Sequence, residues 1–349
     1  NPREWIRLAK QMGATYAVLT TRHHDGFALW PSHYGDFNTK NYCEGRDFVG
    51  EYIDACREFG LKVGLYYSPP DWYFNRKHMS YLVYLAKRKY PMLQDLDLDF
   101  KPCTLPDEAE MQRQNKRYGE YVQGQLDELL TQYGEIDLLW FDGGMPQGQV
   151  YPMERIRALQ PGIVVNPRLH GDGDFETCEV KEASQRPNGW WEFCTQWQSK
   201  GWAYLQGVPY RSLAVITTEF VRTLAWGGNY LLNVGPMADG SFSPETMRAI
   251  EEFTVWHQAN QEALCGTVPL SNPALCEVPA VEKNGKIYIF LLPENNGDIV
   301  LTALSEHVRA AFLDDGSLCA SARTGEGKLV LKTKGKADTR AVRTLEVIL

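Results

Sequence analysis

Three features that mark common functional classes of proteins are missing from this 349-residue chain. Its eight cysteines include no CxxC pair, which argues against a zinc knuckle and against a compact disulfide scaffold. No apolar run approaches the roughly twenty residues that a membrane-spanning helix needs. The formal net charge of −8 gives the chain no basic footprint, so nucleic acid and anionic membranes are poor candidates for partners.

What the sequence does contain is a repeated unit, in which an amphipathic helix is followed by a short apolar strand. We predict helices over 3–13, 47–60 and 110–134, each followed by a strand, at 16–21, 62–68 and 136–144. Further units are predicted at 153–168 and 219–236. Repeated helix–strand units indicate a parallel sheet, and this number of them favours a (β/α)8 barrel over an open sheet.

The texture of the sequence changes after residue 264. Ser243, followed by Pro244 and Glu245, is a strong N-terminal signal for a helix over 243–264, which we expect to close the first domain. Beyond it, alternating stretches such as KIYIFLL and KLVLKT are separated by Asn-Gly and Asp-Gly turns. The sequence therefore predicts an α/β domain over 1–264 and an antiparallel, sandwich-like β domain over 265–349.

Two adjacent histidines, His23 and His24, stand in the stretch TTRHHDGFALW at residues 20–30. Neighbouring side chains on a strand point to opposite faces, so this pair makes a poor metal site unless the strand has already ended. Imidazole hydrogen-bonding groups beside the apolar faces of Phe27 and Trp30 suit a sugar better than an ion. The alternative is a packing loop in which one buried histidine is satisfied by the backbone.

Asp142 follows the apolar run IDLLWF, and chemistry in a barrel takes place where strands end. The alternative is that Asp142 caps the turn at Gly143 and Gly144. Glycoside hydrolysis would need a second carboxyl group. Glu179, in a predicted loop after GDFETC, and Glu192, in the apolar setting WWEFC, are candidates. The other downstream acids are Asp172, Asp174, Glu176 and Glu182.

Six motifs, in order along residues 3–264, resemble the α-L-fucosidases of glycoside hydrolase family 29. They are YAVLTTRHHDGFALWPS, GLYYSPPDW, LLWFDGG, GDFETCE, WWEFC and GGNYLLNVGP. The resemblance implies a (β/α)8-like (TIM-type) barrel followed by a C-terminal antiparallel β-sandwich. It also implies hydrolysis of terminal α-L-fucosides with retention, through a covalent intermediate, with neither a cofactor nor a metal.

The resemblance also implies roles for individual residues. The nucleophile falls on Asp142, and the acid/base falls on Glu179, which ends the pattern GDF-x-T-x-E; Glu192 stays open as the alternative acid/base. The implied contacts with the sugar are His23, His24, Tyr67, Trp140, Arg168 and Trp202.

Two departures from the family pattern affect these expectations. The chain starts at the helix after the family's first strand, so we expect a barrel that is incomplete at its N-terminal end. TCE replaces the commoner TPE, and QWQSKGWAY departs from the usual SWGY loop, which affects the expected linkage preference. The alternatives are a catalytically weak carbohydrate-binding relative and a glycosidase for a sugar of related hydroxyl configuration.

The implied partner is a fucosylated oligosaccharide or glycoconjugate, and a homo-oligomer stays open. The residues do not fix the compartment, whereas the resemblance implies a secreted, periplasmic or lysosomal protein.

Overall fold

The computed structural model describes residues 1–74, 97, 99, 101–104, 106–144, 151–302, 308–324 and 328–348. The chain divides into two compact units. The first comprises Asn1–Lys10 and Ala14–Phe175, and the second comprises Gln11–Gly13 and Glu176–Leu349. All eight cysteines lie in the described ranges and form no disulfide there.

The first unit is built on a parallel sheet whose four strands lie in sequence order, β1-β2-β3-β4. The strands are β1 (Tyr16–Arg22), β2 (Lys62–Tyr67), β3 (Leu138–Phe141) and β4 (Val164–Val165). The helices are α1 (Pro2–Gln11), α2 (Thr39–Tyr42), α3 (Phe48–Phe59), α4 (Glu108–Thr131) and α5 (Met153–Leu159). Sequential parallel strands with helices between them are the helix–strand repeat that the sequence predicts.

Side-chain caps explain where these helices begin and end. The Asp47 carboxylate accepts a hydrogen bond from the backbone N–H of Gly50 at the start of α3, and Gly60 ends that helix with a φ of 67°. The Asp107 carboxylate caps α4 in the same way through the N–H of Glu110. The predicted helix over 47–60 is confirmed to within a residue at each end.

The two faces of this sheet have different neighbours. Leu65 of β2 pairs with Leu139 of β3, and both belong to the core that the helices cover. Tyr66 and Trp140, the next pair in register, therefore point to the opposite face. A β-bulge between Thr20 and Arg22 shifts the phase of β1 at its end.

The second unit begins with a three-stranded parallel sheet in the order β5-β6-β7. Its strands are β5 (Glu176–Glu179), β6 (Trp191–Gln196) and β7 (Asn229–Asn233), and its helices are α6 (Leu213–Ala225) and α7 (Pro244–Leu264). The predicted cap of α7 is confirmed, since the Ser243 side chain accepts from the N–H of Thr246. Residues 176–179 form a strand and not the expected loop, because they pair in register with β6.

Two antiparallel sheets complete the second unit, in the orders β12-β15-β10-β9-β8 and β11-β14-β13. Their strands are β8 (Val268–Pro269), β9 (Ala280–Lys283), β10 (Lys286–Leu291), β11 (Ile299–Leu301), β12 (Arg309–Phe312), β13 (Ser321–Arg323), β14 (Leu329–Leu331) and β15 (Arg343–Ile348), with a 3-10 turn at Pro273–Leu275. Ile289 and Leu345 of one sheet share a core with Leu301 and Leu331 of the other, as in a β-sandwich.

No helix in the described ranges is both long enough and apolar enough to cross a bilayer.

Candidate active site

Polar and aromatic side chains gather at the C-terminal edge of the four-stranded sheet in the first unit. The carboxyl ends of parallel strands meet at one edge, so residues far apart in the sequence become neighbours there. The cluster consists of His23 and His24 after β1, Tyr66 in β2, Trp140 and Asp142 at the end of β3, and Arg168 after β4.

The carboxylate of Asp142 lies at the centre of this cluster. Arg168 donates from Nη1 to its Oδ1 at 2.8 Å, and the Tyr66 hydroxyl donates to its Oδ2 at 2.8 Å. Nε2 of His24 lies 3.6 Å from the same Oδ2. The Asp142 side chain keeps 22% of its surface exposed, so the carboxylate is held firmly and remains open to a ligand.

The backbone around Asp142 is fixed on both sides. The buried side chain of Asn166 accepts from the Phe141 N–H at 2.9 Å and donates to the Phe141 carbonyl at 2.9 Å. Gly143 follows with a φ of 75°, and a Cβ there would lie 2.7 Å from Cγ of Pro70 and 3.3 Å from Cε1 of His24. The glycine turn is therefore present, and the Asp142 side chain is turned toward Arg168 and Tyr66.

A stacked row of rings forms one wall beside the carboxylate. The Tyr66 ring is parallel to that of His23, with 5.5 Å between centroids and 2° between planes. Trp140 stacks on Tyr66 at 5.5 Å and 16°, and Cζ of Arg168 lies 4.6 Å from the Trp140 ring centroid. Flat aromatic faces beside hydrogen-bonding groups suit a ligand with both C–H and hydroxyl surfaces.

The strand β1 ends at Arg22, before the two histidines. Their side chains are therefore not forced onto opposite faces of a strand, and both face the same point. Their ring centroids lie 4.3 Å apart, and one ligand atom from each, together with one from Asp142, lie within 4.8 Å of one another. The guanidinium of Arg168, bound to the same carboxylate, opposes a second cation there.

The structure does not bring Tyr67 to this cluster, so the sugar contact expected of Tyr67 is corrected. Its ring is fully buried, lies 5.1 Å from the guanidinium carbon of Arg22, and donates its hydroxyl proton to Oε1 of Gln125 at 2.9 Å. Tyr66 occupies the site instead. Tyr67 follows the buried Val63 and Leu65 at a spacing of two residues and therefore lies on their face of the strand, whereas Tyr66 lies on the other face. This spacing is the sequence signal that distinguishes the two tyrosines.

Glu179 and Glu192 lie on neighbouring strands of the second unit. Phe193 of β6 packs its ring 5.9 Å from Tyr230, on the face that α6 and α7 cover. Glu179 pairs in register with Cys194, and Glu192 pairs with Thr177, so both glutamates point to the opposite face.

Depth along the strand distinguishes the two glutamates. Glu179 is the last residue of β5 and is exposed, whereas Glu192 is buried. Glu192 pairs with Thr177, two residues before Glu179, so it lies about 7 Å further from the C-terminal end of the sheet. Val180, directly after Glu179, has a φ of 63°, an uncommon conformation for a β-branched residue. Glu179 thus occupies the strand-end position where barrel enzymes carry functional groups.

Trp202 lies half-buried in the loop between β6 and α6. The Gln198 side chain holds this loop together, since its Nε2 donates to the carbonyls of Leu205 and Val208 at 2.9 and 3.1 Å. Its Oε1 accepts from the N–H of Leu205 at 2.9 Å. These hydrogen bonds join the two ends of the segment that contains Trp202.

The fold and the site define a protein of the (β/α)-barrel class with a carboxylate centre at the strand ends. A family model described as alpha-L-fucosidase matches residues 1–262. The chain belongs to the alpha-L-fucosidase family.

Individual relatives agree with this assignment. Tissue alpha-L-fucosidase of Mus musculus is 28% identical, over 84% of this chain and 64% of the relative. The Homo sapiens protein of that name is 29% identical, over 77% and 56%. The chain thus spans 64% and 56% of the length of these two curated relatives.

Solved structures show the same fold. Alpha-L-fucosidase isoenzyme 1 from Paenibacillus thiaminolyticus has a TM-score of 0.81 and 30% identity, covering 100% of this chain and 86% of that one. Thermotoga maritima alpha-fucosidase in complex with fucose has a TM-score of 0.75 and 27% identity, covering 100% and 79%. The expected fold class, a (β/α)8-like barrel followed by a β-sandwich, is confirmed.

Proposed function

We propose that this protein is a retaining exo-glycosidase that removes terminal α-L-fucose from fucosylated oligosaccharides or glycoconjugates. The observation that carries the proposal is the Asp142 carboxylate, held by Arg168 and Tyr66 beside the stacked rings, in a chain of the alpha-L-fucosidase family. The Thermotoga relative that has been solved with fucose supports the choice of sugar.

In the proposed mechanism, Asp142 attacks the anomeric carbon and forms a covalent fucosyl-enzyme. Glu179 donates a proton to the departing glycosidic oxygen, and then removes a proton from the water that hydrolyses the intermediate. Two displacements at one carbon retain its configuration. Retention requires the two carboxyl groups to lie about 5–5.5 Å apart in the working enzyme.

The remaining residues recognise the sugar. His23 and His24 hydrogen-bond to its hydroxyls, Trp140 and Tyr66 present ring faces, and Arg168 orients the nucleophile; Tyr66 thereby takes the role first expected of Tyr67. Trp202 packs against the C6 methyl group. One buried methyl group discriminates by only about 1–3 kcal/mol, so the hydroxyl contacts must provide much of the specificity.

We also propose that residues 1–264 form the catalytic domain and residues 265–349 a separate β-sandwich domain. The support is the long helix α7, which ends at Leu264, and the antiparallel strands that follow it.

The nucleophile is tested by the Asp142→Asn variant in an assay with an aryl α-L-fucoside. Turnover should fall by orders of magnitude while the fold and fucose binding persist, because an amide cannot attack the anomeric carbon. Asp137→Asn is the matched control: Asp137 stands just before β3, at its opposite end, where it binds Lys62 and the N–H of Val63. Asp142→Asn turnover above a tenth of wild type would refute the assignment.

The acid/base is tested by azide rescue. Glu179→Ala should lose hydrolysis of substrates with poor leaving groups, which need a proton on the departing oxygen. With an aryl α-L-fucoside that has a good leaving group, azide should restore turnover, because azide attacks the fucosyl-enzyme without a general base. Rescue of Glu192→Ala instead, with formation of the retained fucosyl azide, would exchange the two roles. Fucose binding by the wild type without turnover would indicate a carbohydrate-binding relative, and turnover of an aryl β-D-galactoside alone would indicate a different glycosidase.

A further inference from the structure

Ser68, the first residue after β2, connects the candidate site to a buried group of polar side chains. Its hydroxyl is hydrogen-bonded to Nδ1 of His24, and no part of the residue is exposed. Its carbonyl accepts from Nη1 of Arg22 at 2.6 Å. One residue thus contacts both a proposed sugar-binding histidine and a fully buried cation.

Arg22 and Asp71 form the base of this group. The two side chains make an ion pair with only 0% and 1% of their surfaces exposed. Oδ1 of Asp71 also accepts from the N–H of Tyr73 at 2.6 Å and of Phe74 at 2.8 Å. The ion pair therefore fixes the chain after β2, which includes Ser68.

The loop after β1 packs on the same base. A Cβ at Gly26 would lie 2.6 Å from Oδ1 of Asp71, and the Trp72 N–H donates to the carbonyl of His24 at 2.8 Å. Both partners of the Ser68–His24 hydrogen bond are thus held on one scaffold. The ring of His24 cannot turn without breaking its part-buried hydrogen bond to Ser68.

The surroundings of the Ser68 hydroxyl favour one of the two neutral tautomers of His24. A hydroxyl has one proton to donate, and Oγ of Ser68 lies 3.3 Å from the carbonyl of Pro70, which can only accept. When that proton is directed at Pro70, Nδ1 of His24 is the donor in its hydrogen bond with Ser68. Nε2 then carries a lone pair beside Asp142, where a sugar hydroxyl can donate to it.

The electrostatics agree with a neutral ring. Burial, and then the neighbouring His23, lower the pKa of His24 below its ordinary value; the Asp142 carboxylate acts in the opposite direction, and Arg22 lowers it further.

We propose that Ser68 is a positioning residue which, on the Arg22–Asp71 base, holds His24 in the tautomer that accepts a hydrogen bond from a hydroxyl of the substrate. The identity of the sugar in this proposal rests on the proposed fucosidase function. The tautomer of His24 does not depend on that function and rests on Ser68 alone.

The test measures ring-nitrogen NMR shifts of His24 in the ligand-free protein, and fucose affinity by calorimetry. Wild type should show one fixed tautomer, protonated at Nδ1. Ser68→Ala should give mixed tautomers and bind fucose about three- to tenfold more weakly, the effect of one hydrogen bond, and Ser68→Thr, which keeps the hydroxyl, should restore both. Ser32→Ala is the matched control, because Ser32 is an equally buried serine that donates to Glu128 at 2.7 Å instead.

Protonation of Nε2 in the wild type would overturn the proposal even if Ser68→Ala failed to fold. Unchanged shifts and fucose affinity in a folded Ser68→Ala protein would also overturn it. A wild type that shows the Nδ1 tautomer and neither binds fucose nor hydrolyses fucosides would refute the proposed function and leave the role of Ser68 intact.

Discussion

Replacement of Asp71 by asparagine should destabilise the protein far more than its modest chemical change suggests. Asparagine can still accept the backbone N–H groups of Tyr73 and Phe74 through one oxygen. It cannot neutralise Arg22, whose side chain has no exposed surface. The variant therefore isolates the loss of charge compensation inside the fold.

The size of the effect follows from this burial. Removing one partner of a buried ion pair costs about 3–5 kcal/mol, because the remaining charge stays desolvated and unpaired. An exposed pair such as Lys62–Asp137, whose lysine side chain is 72% exposed, is worth about 0–1 kcal/mol. Urea unfolding followed by circular dichroism should show this contrast between Asp71→Asn and Lys62→Met.

A double-mutant cycle makes the reasoning refutable. Arg22→Met removes the buried charge, so the combination of Arg22→Met with Asp71→Asn should be destabilised by clearly less than the sum of the two single variants. Additive losses would show that the two side chains act independently. A loss below about 1 kcal/mol for Asp71→Asn alone would show that water reaches Arg22 and that the interior is not closed there.

Two further predictions concern Gly13 and His257 in the second unit. Gly13 has a φ of 88°, and a Cβ there would overlap the His257 ring. Gly13→Ala should therefore lower the free energy of unfolding in urea by about 3 kcal/mol or more. Gly45→Ala is the control, since Gly45 has a φ of 75° with open space around it, and it should lower that free energy by about 1 kcal/mol. Burial lowers the pKa of His257 below its ordinary value, so the unfolded chain binds more protons and the free energy of unfolding should fall as pH drops below about 6.5. His257→Gln should weaken this dependence of the free energy of unfolding on pH. An unchanged dependence would refute the role given to His257.

Helix ends could be predicted from the sequence because their signals are local. The caps at Asp47 and Ser243 and the stop at Gly60 each act within about four residues, so no knowledge of the tertiary fold is needed. The strand β5 lacks such a signal. Its residues ETCE neither alternate in polarity nor form an apolar run, and pairing with β6 alone makes them a strand.

The candidate site was predictable in its chemistry and less so in its geometry. The identity of Asp142 and of its partner Arg168 could be proposed from strand ends and family motifs, whereas their 2.8 Å contact depends on the pairing of β3 with β4. The choice between Tyr66 and Tyr67 depended on strand phase. Val63, Leu65 and Tyr67 are spaced two residues apart and so share one face of the strand. This pattern identifies the face of Tyr67 only if the spacing is counted from the apolar residues in the middle of the strand.

The hydrogen bonds that hold Asp142 and His24 in the first unit join residues that are distant along the chain. Tyr66 and Asp142 are 76 residues apart, His24 and Ser68 are 44 apart, and Arg168 and Asp142 are 26 apart. Contacts of this kind cost loop-closure entropy before they stabilise the fold, so we expect them to form late during folding. During refolding, helix content should recover before the carboxylate is in place, and ligand affinity is therefore one of the last properties the chain regains.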